Sequence, residues 1–293
     1  MLNQIDAKKL LDEVPYLEEQ SKTVAGGLRD LILKGGKPTR RLADLLHGTW
    51  LGHPLHPVLT DVTIGAWVLS FAMDLLSLGT KDKELEDSAD RLLLIGNAAA
   101  IPTALAGMTD FATIPQNSAA VGGAHGLLNM VGFGLNVLNS LSRKSGNRGL
   151  GLFLSGMTSS LLMISAYLGG ELSYKYKVGT NHIPHSSPPE DWKAVLGEEF
   201  LPDGTPKRVE IDNTPILLYR KDGRIFAIGA VCSHAGAPLE DGDFEGHCVT
   251  CPWHQSVFDL SDGSVVHGPA TYAEPAFEAR VKDGNIEVRK QRG

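Results

Sequence analysis

Four stretches of the sequence, about Pro57–Leu78, Leu92–Thr113, Gly126–Leu141 and Leu150–Gly170, are long, apolar and rich in small residues. A helix needs roughly 20 such residues to cross a ~30 Å hydrocarbon layer. Inside that layer only a helix or a closed barrel satisfies the backbone. Three stretches come close to this length, and the third, shorter one extends through His125 and Ser142 at its ends. Runs such as Ala98–Ala100 and Gly156–Ser160 favour close helix packing in lipid. Pro102 predicts a kink in the second span. The expectation is a four-helix transmembrane bundle in the cell membrane. Asp61, Asp74, Asn97, Asn129 and Asn136 keep a soluble four-helix bundle open as the alternative. The first forty-odd residues are charged and unsuited to an apolar signal segment, so none is expected. Leu10–Ile32 reads as one amphipathic helical lead-in ending at Gly35-Gly36-Lys37-Pro38, and no internal repeat is evident.

Beyond the fourth stretch the composition changes. Asn181–Pro189 is rich in Pro and Ser and reads as an extended hinge. Alternating runs follow at Arg208–Ile211, Ile216–Tyr219, Phe277–Val281 and Ile286–Val288. They are separated by Lys221-Asp222-Gly223, Ser261-Asp262-Gly263 and Lys282-Asp283-Gly284-Asn285, which are hairpin signals. The predicted fold class is α+β multidomain, a helical bundle followed by an all-β domain. The divisions fall at 1–46 (lead-in), 47–178 (membrane bundle), 179–190 (linker) and 191–293 (β domain).

Two short loops of the β part carry donors: Cys232-Ser233-His234 and Cys251-Pro252-Trp253-His254. Two Cys and two His also suit a mononuclear zinc, but a C2H2 finger places both cysteines before both histidines. Here each loop supplies one of each. CSHAGAPLEDG (232–242) and CPWHQSVFDLSDGSVVHGPA (251–270), within a stretch from about Asp191 onward, resemble the Rieske ferredoxin family. The resemblance implies a 2Fe–2S cluster, with Cys232 and Cys251 on one iron and His234 and His254 on the other. Neutral imidazoles raise its potential above that of an all-cysteine cluster. Gly236, Pro238, Pro252 and Ser256 are then expected to shape the cluster loops. Ala237 and Trp253 stand where Rieske proteins of cytochrome bc complexes carry a loop disulfide, so that bridge is not expected. Phe258 stands where high-potential members carry Tyr, leaving the Ser256 hydroxyl to tune the sulfurs and implying a low-to-intermediate potential. The third cysteine, Cys248, reads as a small core residue.

With four crossings, the starts of the first and third spans and the chain after the fourth share one membrane face. That face gathers His47, His53, His56, Asp61, Asp110, His125 and Glu171. The opposite ends show what reads as ordinary loop charge, Lys81–Asp90 and Arg143–Arg148. HGTWLGHPLHP (47–57) and GAHGLLN (123–129) resemble a bacterial four-helix membrane family of unknown function, over about Gly48–Val178. Histidines in pairs at a membrane edge are functional candidates. His56 and His125 suit a b-type haem or a quinone head group, with helix capping as the plain alternative. Lys and Arg are nearly balanced between the two faces. The missing signal and missing disulfide therefore decide for a cytoplasmic β domain.

From Ser186 onward there are 11 Lys and Arg against 18 Asp and Glu, so the whole formal charge of −7 lies in this part. Such a surface steers toward basic redox partners and argues against nucleic acid. The functional expectation is a membrane-anchored one-electron carrier serving a redox partner protein or a quinone, with no catalytic residues of its own. Some forty residues follow His254, too few for the mononuclear-iron domain of a complete Rieske oxygenase. A ferredoxin component supplying a separate oxygenase, or a redox sensor with a structural anchor, are the alternatives.

Overall fold

The computed structural model describes residues 7–14 and 16–291. Its helices are α1 (Ala7–Asp12), α2 (Leu17–Lys34), α3 (Gly36–His47), α4 (Leu55–Thr80), α5 (Lys83–Phe111), α6 (Ala119–Lys144) and α7 (Arg148–Gly170). The chain divides into two compact units. One comprises the chain through Gly36 together with Leu55–Val178, and the other Lys37–Pro54 together with the chain from Gly179 onward. The expected single lead-in helix is broken between Asp12 and Leu17, where Pro15 disfavours helix in the residue before it. The lead-in does stop at Gly35, the C-cap of α2, but α3 starts at once from Gly36, with Pro38 in its first turn, where the missing N–H costs nothing.

The helical unit is built inside out relative to a soluble bundle. Small or polar side chains such as Thr63, Ser70, Asn136, Asn139, Ser155, Thr158 and Ser165 are buried beside Trp67, Leu93 and Leu162, while Leu76, Leu94, Ile101, Phe153 and Met163 lie exposed. In water that exposed apolar face would be costly, whereas in lipid it is the solvated surface. The soluble-bundle alternative therefore falls, and α4–α7 are all long and apolar enough to cross a membrane. α5 and α7 start ahead of the apolar stretches, at side-chain caps. Asp82 accepts from Glu84 N at 2.8 Å and Asn147 from Leu150 N at 3.1 Å. α5 continues through Pro102. Interhelical hydrogen bonds tie the layers: Trp67 Nε1 donates to Asn97 Oδ1 at 3.0 Å, and Asn97 Nδ2 to Ser140 Oγ at 2.9 Å.

At one end of this bundle the supposed loop charges join Asp74 in a partly buried network. Arg143 donates to Asp74 and, at 2.8 Å, to Asp90; Arg148 reaches Asp74 at 2.7 Å and Asp90 at 3.1 Å. The Asp74 and Arg143 side chains are only 3% and 4% exposed. Sequence position near helix ends conceals this, because α4, α5, α6 and α7 each bring one partner or more to the same point.

The β unit contains β1 (Lys193–Gly197), β2 (Pro206–Ile211), β3 (Thr214–Lys221), β4 (Arg224–Gly229), β5 (Asp243–Glu245), β6 (Cys248–Thr250), β7 (Val257–Asp259), β8 (Val265–His267), β9 (Phe277–Lys282) and β10 (Asn285–Lys290). They form three antiparallel sheets, ordered β1-β10-β9, β2-β3-β4 and β5-β6-β7-β8. The Asp222-Gly223 and Asp283-Gly284 turns both have positive φ, 51° and 76°, then 50° and 73°, as tight hairpins require. A third such turn, Asp212-Asn213 (49° and 60°), joins β2 to β3 and is not among the sequence-predicted ones. Alternation along β3 feeds two cores. Leu217 and Tyr219 pack with Phe226, Leu239, Val249 and Phe258, whereas Ile216 and Leu218 pack with Leu201, Ile286 and Val288. Cys248 is half-buried at the start of β6, not a core residue.

Candidate iron–sulfur site

The two donor loops leave the first of these cores, one after β4 and one between β6 and β7. They are closed in the same way. Gly236 N donates to Cys232 O at 2.8 Å and Cys232 N to Ala237 O at 2.8 Å; in the second loop Gln255 N donates to Cys251 O at 3.2 Å and Cys251 N to Ser256 O at 2.7 Å. Each loop needs a left-handed residue at its fifth position, Gly236 (φ 83°) and Gln255 (φ 67°). Glycine adopts this freely, glutamine at a cost. Arg40 of α3 donates to Gln255 O at 3.0 Å and helps hold that turn.

The loops bring like donors together. Cys232 and Cys251 are each 1% exposed, and their thiols share a hydrogen bond. That bond splits them, drawing Cys251 down to about 7 and pushing Cys232 up. The His234 and His254 rings lie 4.8 Å apart at 83°. Burial holds His234 well below the ordinary histidine range, with the nearby imidazoles of His254, His47 and His182 acting in the same direction. It is thus a neutral lone-pair donor. A sulfur pair and an imidazole pair fit a dinuclear cluster with one thiolate-held and one imidazole-held iron better than four donors around one zinc.

Beneath the cluster loops lies a support that the sequence did not signal. Ser233, fully buried between two donors, gives its N–H to Glu274 Oε1 and its hydroxyl to Tyr272 O, both at 2.6 Å. Its carbonyl accepts from His182 N at 2.9 Å, so the Asn181–Pro189 segment is pinned to the first loop rather than a free hinge. Asp44 of α3 contacts His267 Nδ1 at 2.7 Å and accepts from Gly268 N at 2.9 Å. His47, grouped above with the membrane-edge histidines, is 4% exposed and packs against Gly268 of the β unit. None of these has a local motif; chain segments far apart in sequence supply them. Trp253 remains about half exposed beside His254.

Two expected results arise here. Ser256 Oγ accepts from Ala270 N at 3.0 Å, which leaves its proton for a cluster sulfur. Ser256→Ala is expected to lower the midpoint potential by roughly 60 mV, about one tenfold step for one electron, in a redox titration. Glu274 is 3% exposed and its Oε2 is buried without a hydrogen-bond partner. Burial raises it from 4.5 to about 8. The folded state then binds the proton more tightly than the unfolded one. Its contribution to stability is fully present below pH 4.5 and is lost, by a few kcal/mol, as pH rises through about 8. Glu274→Gln, which keeps an acceptor for Ser233 N, should flatten denaturation midpoints across that window.

The two membrane histidines also meet. His56 and His125 have ring centres 6.5 Å apart at 88°. His56 Nδ1 bonds to Thr103 O and His125 Nδ1 to Ser165 O, both at 2.9 Å. His53 instead turns to Pro54 O at 2.9 Å.

A small antiparallel β domain with paired Cys and His loops, on a chain with four membrane-length helices, defines a membrane-bound iron–sulfur electron carrier. Residues 191–280 match the Rieske [2Fe-2S] domain, and residues 52–182 match the family described as "Predicted membrane protein (DUF2231)". The anthranilate 1,2-dioxygenase ferredoxin subunit of Burkholderia cepacia is 35% identical over 91 residues, 31% of this chain and 83% of that protein. The 3-phenylpropionate/cinnamic acid dioxygenase ferredoxin subunit of Photorhabdus laumondii is 40% identical over 96 residues, 32% of this chain and 90% of that one. Among solved structures, the ferredoxin of carbazole 1,9a-dioxygenase from Nocardioides aromaticivorans matches at 26% identity and a TM-score of 0.33, over 35% of this chain and all of that one. The chain belongs to the Rieske 2Fe–2S family, and the stretch preceding its Rieske domain is similar to the DUF2231 family.

Proposed function

We propose that this protein carries single electrons at a membrane surface, with Cys232 and Cys251 on one iron of the cluster and His234 and His254 on the other. The observation that carries this is the pairing of sulfur with sulfur and imidazole with imidazole on two loops of identical closure. The bound cluster supplies one-electron redox chemistry, while the protein buries the sulfurs, fixes the imidazoles as neutral donors and leaves Trp253 and His254 toward solvent. The acceptor is a separate redox protein. The dioxygenase ferredoxin relatives make an oxygenase the favoured class, and the acidic β unit suits a basic docking face. The reading is tested by reducing detergent-solubilised protein and recording its EPR spectrum alongside iron and acid-labile sulfide. A Rieske-type signal at two irons and two sulfides per chain is expected; zinc without sulfide would overturn it.

The His56–His125 pair favours a second redox station, a haem or a quinone head group, in the membrane bundle. With four crossings it lies at the face from which the chain enters the Rieske domain. That face is cytoplasmic in this reading, supported by Ala237 and Trp253 at the positions of the loop disulfide. C-terminal reporter fusions that are active only outside the cytoplasm would reverse the orientation.

A further inference from the structure

The two hairpins of the helical unit, α4–α5 and α6–α7, repeat one histidine contact. In α4–α5, His56-Pro-Val-Leu-Thr60 faces Thr103-Ala-Leu-Ala-Gly107; in α6–α7, His125-Gly-Leu-Leu-Asn129 faces Ser165-Ala-Tyr-Leu-Gly169. Each histidine opens onto the second helix of its own hairpin. Its Nδ1 bonds to the carbonyl of the Thr or Ser, and its ring lies against the glycine four residues on. A Cβ at Gly107 would come within 2.8 Å of His56 Cε1, and one at Gly169 within 3.2 Å of His125 Cε1. At Gly107 a side chain would force the ring to shift, and at Gly169 it would crowd the ring by a few tenths of an ångström. The match is too short to find by scanning the sequence, and it emerges from the paired contacts.

From this repeated contact we infer that His56 and His125 are the two axial ligands of one haem iron held between the hairpins. The inference deepens the second redox station proposed above and rests on it. The carbonyl bonds fix both rings with hydrogen on Nδ1 and a lone pair on Nε2, the arrangement by which metal-binding histidines are oriented. At His125 this is explicit, since the Asn129 amide donates to Nε2 at 3.1 Å and gives way to the metal. Two imidazoles each about 2 Å from a shared ion have ring centres just over about 6 Å apart; here they are 6.5 Å apart. The ligand count selects the cofactor. Among the described residues no third His, Cys, Asp or Glu joins His56 and His125 in a metal-binding group. A bare ion would lack protein donors here, whereas a porphyrin brings four of its own and asks the protein for two. A quinone would use one imidazole and leave the symmetric second unexplained.

The test uses the full-length protein from cells supplied with iron and a haem precursor, solubilised in mild detergent. Pyridine haemochrome analysis is expected to give one b-type haem per chain, with a sharp low-spin reduced-minus-oxidised band. His56→Ala and His125→Ala should each lose that band while the Rieske EPR signal persists, which also reports that the chain is folded. His125→Met should keep haem with a raised potential. Haem-free protein with an intact Rieske signal, or a low-spin band surviving both alanine variants, would overturn the inference. A haem band without the Rieske signal would instead sink the cluster assignment and leave this one standing.

Discussion

Cys251→Ser is expected to give protein whose iron and acid-labile sulfide fall by more than about tenfold, with no Rieske signal on reduction. The thiol sits in a sealed pocket at 1% exposure, bonded to its partner Cys232. A serine oxygen there is a hard donor that does not deprotonate to match a thiolate. The loss should reach beyond the cofactor. Both loops hang from the core that contains Cys232, Cys251, Leu239 and Phe258, and ligand bonds formed only in the folded state add directly to its stability. Cys248→Ser is the matched control. That side chain is half-buried on β6, away from the donors, and its replacement should leave iron, sulfide and spectrum unchanged. Equal iron loss in both variants would show that damage to the fold, not ligation, is being read.

Arg143→Ala should be the most damaging change in the helical unit. Asp74 would keep only Arg148, at 2.7 Å, as a partner, in a place where its own side chain is 3% exposed. Removing one member of a buried ion pair costs about 3–5 kcal/mol because the other charge stays buried. With Arg148 still in contact, the low end, about 3 kcal/mol, is expected as a drop in thermal midpoint in detergent. Replacing both partners by apolar residues, Asp74→Leu with Arg143→Met, should regain most of that loss, since a well-packed apolar pair avoids the desolvation cost. If the double variant is as unstable as Arg143→Ala, the network has some role besides holding the helices together.

The elements that the sequence reveals are those whose chemistry is local. Asp-Gly turns announce their own backbone geometry, the four apolar stretches announce their length, and Cys-x-His with Cys-x-x-His announces a donor set within a few residues. What stays hidden depends on segments meeting from far apart. Glu274 has an unremarkable context, Ala-Glu-Pro-Ala, yet it anchors the peptide between Cys232 and His234. Asp44 reads as one more charge on a polar helix, but its two bonds go to residues more than two hundred positions away. Asp74, Asp90, Arg143 and Arg148 read as tolerable charges near helix ends, and their convergence appears only once four helices are packed. The repeated histidine contact escapes for another reason. Its two instances share a histidine, a hydroxyl residue and a glycine, and the dozens of positions between them are free to differ.

The helix before the membrane spans and the segment after them both belong to the Rieske unit. During synthesis, α3 leaves the ribosome more than two hundred residues before the loop and strand it braces, and it must wait on the correct side of the bilayer until they arrive. The finished domain then acts as a buckle. Its two straps are the entry and exit of the helical stretch, so a chain inserted with an odd number of crossings has no way to close it.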